Sequence, residues 1–251
     1  MSEKKSAFSA ALPSRRLAGR KIVITGAASG IGRATARLFL EEGSQVILLD
    51  RNLEGLHATL DNGDGVCIEA DITSPDSVGS GITAAAQKLG GVDGVVNAAG
   101  IMLTGPTDEM TFETWEKVIS VNLSGSFFVV KACLPWLRKR EGSTIVNIGS
   151  GAGLLPNAPG LAAYAASKGG IIALTKALAS DLAPQVRVNC VCPGMVDTPM
   201  ADGFRANVGN YALKRIADPT EIARAILFLT TLDSSYVTGA ALAVDGGRTF
   251  H

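Results

Sequence analysis

The sequence predicts an α/β fold: a doubly wound, seven-stranded parallel sheet with helices on both faces, in a single domain. Three observations carry that prediction. Seven short apolar runs alternate with longer segments of helical pattern. The strand-like runs hold few charges, so both faces of each strand are covered by other elements. The chain of 251 residues, 47% of them apolar, shows no repeat, linker or low-complexity stretch that would divide it, and one large core accounts for it.

Taken in order, Lys21 to Thr25 is the first strand and opens into a helix from Ile31 to Glu42. Gln45 to Leu49 precedes a helix over Leu53 to Leu60, and Val66 to Glu69 precedes one over Pro75 to Leu89. Val92 to Asn97 is the fourth strand, followed by a long helical region from Thr111 with a division expected near Gly125. Ser143 to Ile148 leads into a helix from Leu161 to Leu182. Val186 to Val191 precedes a loop, Pro219 to Leu232 is helical, and Ala240 to Val244 closes the set. Strands and helices alternating in this way make right-handed crossovers between parallel strands.

Composition removes several function classes. With 23 basic and 23 acidic residues the formal net charge is zero, which gives no footprint for nucleic acid or an anionic membrane surface. The expected partner is a small molecule. The longest apolar stretch, Phe127 to Leu137, is interrupted by Lys131 and Pro135, so no membrane span is expected. Residues 1–16 read as a flexible extension, because the apolar piece Ala7 to Leu12 is too short for a signal core. Cys67, Cys133, Cys190 and Cys192 lack CxxC spacing and sit among apolar residues, as reduced thiols of a cytoplasmic protein do. His57 and His251 have no neighbours that would form a triad or a metal cluster, and no metal is expected.

The turn Thr25-Gly26-Ala27-Ala28-Ser29-Gly30-Ile31-Gly32 stands between the first strand and its helix. Glycines there let the backbone approach a pyrophosphate, and the helix N-terminus offers amides and a favourable dipole. Asp50, 18 residues after Gly32 at the end of the second strand, is placed to accept both hydroxyls of an adenosine ribose. A 2′-phosphate would meet its charge, so NAD is preferred over NADP despite the neighbouring Arg51.

Tyr164 and Lys168 are four apart, one helical turn, and share a face. A phenol titrates near ~10 when free. A fixed ammonium favours the phenolate, and two units of lowering require only about 3 kcal/mol. On this reading Lys168 lowers the pKa of Tyr164.

Together these residues resemble the short-chain dehydrogenase/reductase family, a Rossmann-like family, from about Arg20 to Gly247. The resemblance rests on Thr25 to Gly32, Asn97-Ala98-Ala99-Gly100, Asn122, Ser150, Tyr164-Ala165-Ala166-Ser167-Lys168 and Pro193-Gly194. It implies that Tyr164 is the general acid/base, that Lys168 lowers its pKa and holds the nicotinamide ribose, that Ser150 binds the substrate oxygen, and that Asn122 holds a proton-relaying water. For the cofactor it implies Gly26, Ser29, Gly30, Ile31 and Gly32 at the turn, with Asp50. Asp71 and the Ile72 backbone would meet the adenine and Asn97 the adenosine ribose, with Pro193, Val196 and Thr198 at the nicotinamide end. Ser150 stands fourteen residues before Tyr164 where the family usually has thirteen, which reads as one residue inserted between Leu154 and Gly160.

Leu154, Leu155, Asn157, Leu161, Met195 and Met200 are the expected substrate wall, mostly apolar and without a cation. Residues Met195 to Ile216, with Phe204 and Tyr211, are an expected lid. That wall suits a secondary alcohol, polyol or ketone. A 3-oxoacyl thioester is the alternative substrate, and a non-catalytic NAD(H) sensor the alternative function. A sugar-nucleotide epimerase would need a larger substrate domain. The resemblance also implies a homotetramer.

Overall fold

A computed structural model describes residues 15–156, 158–203 and 205–249. Residues 1–14, Asn157, Phe204, Phe250 and His251 lie outside the described residues. The expected extension is therefore described only at its end, where Arg16 is tied to Glu42 by a 2.6 Å ion pair.

The seven strands are β1 (Lys21–Thr25), β2 (Gln45–Asp50), β3 (Gly65–Glu69), β4 (Gly94–Asn97), β5 (Ser143–Ile148), β6 (Val186–Pro193) and β7 (Ala241–Val244). They form one sheet in the order β3-β2-β1-β4-β5-β6-β7 with every neighbour parallel. Chain direction across the sheet reverses between β1 and β4, and ligands of open α/β folds bind above that point.

Because successive strand side chains point to opposite faces, each strand feeds two cores. Val23, Ile47, Val95 and Ile145 pack with Ile82, Val129 and Leu178 on one side. Ile22, Ile24, Val46 and Val146 pack with Phe39, Ile222 and Ile226 on the other. Full burial of such a side chain contributes about 1.5–3 kcal/mol, so a charge on either face of a strand would be costly. That is why the strand runs read as uniformly apolar.

The helices are α1 (Gly30–Glu41), α2 (Leu53–Leu60), α3 (Pro75–Leu89), α4 (Phe112–Ile119), α5 (Ser126–Leu137), α6 (Gly151–Leu154), α7 (Ala162–Leu182) and α8 (Pro219–Thr230). Two departures from the sequence reading have local causes. The division expected near Gly125 is a widened π-helical stretch, Ser120–Gly125, that joins α4 to α5 without a break. A Cβ on Gly125 would stand 2.8 Å from the Ile72 side chain, so glycine lets this stretch pack on the end of β3. The one-turn helix α6 had no periodicity to announce it; it starts because the Ser150 hydroxyl accepts from the Ala152 N–H at 3.1 Å.

The joined helix Phe112–Leu137 is 26 residues long and apolar enough, at a mean hydropathy of 1.5, to cross a membrane by length and composition. Counting only uninterrupted apolar residues missed it. Its Val129, Val130, Cys133 and Leu137 are spent on the core beneath the sheet.

Candidate active site

The carboxyl ends of β1 to β3 carry the glycine turn and two carboxylates. Gly26 and Gly30 have φ of 65° and 52°, the left-handed region that glycine adopts without strain. A Cβ on Gly32 would stand 2.2 Å from the Gly26 carbonyl oxygen, and one on Gly26 would stand 2.7 Å from the Ala99 backbone. The turn is thus packed backbone against backbone. Thr25 Oγ1 fixes it by accepting from the N–H groups of Ala98 and Ala99, each at 3.1 Å. Ser29 begins α1 with its hydroxyl free of any capping bond.

Asp50 braces the same turn: one carboxylate oxygen accepts from Ala28 N–H at 3.2 Å and the other from Asn52 N–H at 3.1 Å. Arg51 points away from it, 3.9 Å from Asp71. Asp71 accepts from the Thr73 hydroxyl at 2.7 Å and its N–H at 2.9 Å, and these bonds hold its carboxyl below the usual range. The Ile72 side chain is buried in the core.

On the other side, Ser150 follows β5, while Tyr164 and Lys168 come from the first two turns of α7. All three line one cavity of about 450 Å³. Tyr164 and Lys168 are 8% and 5% exposed, which makes their charge states depend on few partners. Burial pushes the Tyr164 phenol up from its ordinary value, and a hydrogen bond with the Ser150 hydroxyl opposes it. The Lys168 ammonium donates to the Ile148 carbonyl at 2.8 Å and lies 5.8 Å from the Tyr164 ring centroid. Burial brings it down to about 8, with the thiols of Cys190 and Cys192 opposing.

The net shift of the phenol is therefore upward. Spacing put both groups on one face, but spacing carries no information on burial. Here the loss of water outweighs the Ser150 bond that favours the phenolate.

The two asparagines are both held by groups of the protein. Asn97 is 2% exposed, and its amide donates to Asn147 at 2.9 Å and to the Ser126 carbonyl at 3.3 Å. Asn122 is 1% exposed and clamps the segment following β4. Its oxygen accepts from Ile101 N–H at 2.8 Å, and its nitrogen donates to the Ile101 carbonyl at 2.9 Å and to Ser167 Oγ at 3.0 Å. Both amide hydrogens are thus used within the protein. A Cβ on Gly100 would stand 3.2 Å from the Asn122 oxygen and 3.4 Å from Lys168 Nζ, which places this clamp beside the ammonium.

The cavity also gathers Ile31, Pro193, Val196 and Thr198 from the expected nicotinamide end. A Cβ on Gly30 would stand 3.1 Å from the Thr198 methyl, so the loop after β6 lies against the glycine turn. Of the expected substrate wall, Leu155, Leu161, Met195 and Met200 line the cavity and Leu154 does not. Tyr211 of the expected lid lines it as well. Gly26, Asp50 and Asp71 stand outside it, on the β1–β3 side of the rim. Met102 and Arg248 line it unforeseen, and Arg248 overturns the reading of a wall without a cation. Nothing in the local sequence around Arg248 signals a pocket, since the turn after β7 brings it there.

The glycine cradle, the adjacent helix N-terminus, the carboxylate at the end of β2 and the loop folded over the turn fit a nicotinamide dinucleotide. Comparison with known proteins agrees with this geometry. A family model described as Enoyl-(Acyl carrier protein) reductase matches residues 26–249. The 3-oxoacyl-[acyl-carrier-protein] reductase of Thermotoga maritima is 40% identical over 243 residues, 92% of this chain and 98% of its own. Trans-4-hydroxycyclohexanecarboxylate dehydrogenase of Sinomonas cyclohexanicum is 38% identical over 248 residues, 94% and 95% of the two chains. A Brucella melitensis 3-oxoacyl-[acyl-carrier protein] reductase solved with bound NAD superposes at a TM-score of 0.90 with 33% identity, covering 100% of this chain and 99% of that one. A Burkholderia cenocepacia short chain dehydrogenase in complex with NADP does so at 0.89 with 30% identity, covering 94% and 100%.

Proposed function

The chain belongs to the short-chain dehydrogenase/reductase family, an oxidoreductase of CH–OH groups that uses a nicotinamide dinucleotide, and from that premise we propose how its own residues divide the work. Tyr164 is the general acid/base: it takes the proton from the substrate hydroxyl in oxidation and returns it in reduction. Ser150 holds the substrate oxygen and, through its bond to the phenol, favours the charged form of Tyr164. Lys168 presents its ammonium to the nicotinamide ribose from below the phenol. Asn122 acts by holding the backbone at Ile101 beside that ammonium. When bound, the cofactor supplies the hydride acceptor or donor.

Gly26, Ser29, Gly30, Ile31 and Gly32 hold the pyrophosphate, Asp50 the adenosine ribose, Asp71 and the Ile72 backbone the adenine. Pro193, Val196 and Thr198 hold the nicotinamide end. The cofactor is NAD: Asp50 offers a carboxylate where a 2′-phosphate would need a cation, and Arg51 is drawn to Asp71 instead.

The substrate is a secondary alcohol or the matching ketone, and the observation that carries this is the Ser150–Tyr164–Lys168 set, its phenol and ammonium buried, at the wall of a largely apolar cavity. A 3-oxoacyl thioester is the second reading, favoured by the T. maritima relative. Residues 17–251 act as one domain. Phe112, Trp115 and Phe127, 88%, 40% and 41% exposed on the α4–α5 face, support burial against further copies in a homotetramer. Four free thiols support a reducing compartment, the cytoplasm.

A panel of polyols, hydroxy steroids and β-keto esters with NAD(H) and NADP(H) tests the reading by absorbance of the reduced nicotinamide. Turnover with NAD(H) on a secondary alcohol or ketone is expected. Tight NADH binding with no turnover on any member would replace it with the sensing function.

A further inference from the structure

The turn after β7 delivers a cation to the cavity that the chemistry above does not use. Asp245 shapes this turn: one carboxylate oxygen accepts from Gly247 N–H at 3.0 Å, and the other from Thr249 N–H at 2.9 Å and the Thr249 hydroxyl at 2.6 Å. Both oxygens are committed inside the turn. Thr249 lies against the residue that follows the serine, since a Cβ on Gly151 would stand 3.4 Å from its methyl. The turn is thereby registered to the end of the cavity where the substrate oxygen is held.

Arg248 is half-buried in the cavity wall, beside Met195 and Tyr211. Its guanidinium carbon lies 5.7 Å from the Tyr211 ring centroid, a stacked arrangement. Tyr211 is itself fixed by close backbone, for a Cβ on Gly194 would stand 2.8 Å from its ring. Among the described residues the guanidinium has no ion pair and no side-chain hydrogen bond. Asp245 is occupied as above, and Asp197, at the other end of the loop, is held by Arg205 at 2.6 Å. A planar group with five N–H donors, oriented by an aromatic face and lacking an anion, is matched by a carboxylate in bidentate geometry.

We propose that Arg248 is a specificity-determining residue that binds a carboxylate on the substrate. The substrates are then hydroxy or oxo carboxylic acids rather than neutral alcohols. The inference rests on Ser150 and Tyr164 holding the reacting oxygen, and it narrows that reading. Tyr211 contributes by keeping the guanidinium turned to the cavity, and the apolar Met195 and Leu155 line it around the carbon frame.

Two isosteric, unreactive probes test it without turnover. Benzoate and benzamide are titrated by calorimetry into the wild-type protein, Arg248→Gln and Arg248→Lys, with and without saturating NADH. Wild type is expected to bind benzoate at least tenfold more tightly than benzamide. Arg248→Gln should weaken benzoate at least tenfold while benzamide stays within twofold, and Arg248→Lys should recover part of the loss. Equal affinity of wild type for the two probes, or loss of both together in Arg248→Gln, would overturn the proposal. Turnover of the alcohol panel is a separate readout: a protein that selects benzoate through Arg248 yet oxidises nothing keeps this inference and loses the hydride-transfer reading.

Discussion

The rim of the sheet is built differently at its two ends. At β1 to β3 the surface is backbone held against backbone: Gly32 against Gly26, Gly26 against Ala99, and a carboxylate bracing the turn through Ala28. At β5 to β7 it is side chains meeting across long sequence separations: Ser150 after β5, Tyr164 on α7, Met195 and Tyr211 in the loop after β6, and Arg248 after β7. The first end has little freedom to vary because a methyl group on Gly26 or Gly32 would collide with backbone. The second keeps a fixed proton-handling set and varies the wall around it. A common cofactor grip beside an adaptable pocket follows from that difference in construction.

Breaking each end separately sharpens the comparison. The largest effect belongs to Tyr164→Phe, which should lower kcat by on the order of 10³-fold, the scale of a lost general acid/base, measured on whichever panel substrate turns over. Gly32→Ala strikes the other end. Its Cβ meets a carbonyl oxygen at 2.2 Å, and a loss of about 3 kcal/mol in denaturant unfolding is expected together with weakened NADH binding.

Ser150→Ala should cost about 100-fold in kcat/KM, as removal of an oxyanion donor does, and should also move the pH profile. The phenol is raised by burial, so at neutral pH it carries its proton and alcohol oxidation accelerates as pH rises toward the phenol's value. The Ser150 bond opposes that rise. Its removal therefore shifts the ascending limb for oxidation to higher pH. A limb that stays in place, or moves to lower pH, would show that Ser150 does not tune Tyr164. Asp50→Ala is the gentlest change, expected to narrow the NAD over NADP preference on the order of tenfold, the worth of one hydrogen bond to a charged group. An unchanged ratio would remove Asp50 as the selector.

The same division governed what could be read from the chain. The strands were legible because their two covered faces demand uninterrupted Val, Ile and Leu, and the glycine turn because only glycine survives its contacts. Ser150, Tyr164 and Lys168 were legible through their order and spacing in a family pattern. Burial was not legible: it raises the Tyr164 phenol, and the amide of Asn97 bonds within the protein. Arg248 was also hidden, since its place depends on how the last turn folds back on Gly151. The widened helix at Gly125 is of the same kind, set by contact with Ile72 across the fold.

The most direct test of a chemical end separable from a binding end is one titration on Tyr164→Phe, reading NADH affinity and residual turnover on the same sample. The account predicts an NADH Kd within about twofold of wild type with turnover lowered on the order of 10³-fold. Wild-type turnover in that variant, or loss of NADH binding along with turnover, would contradict it.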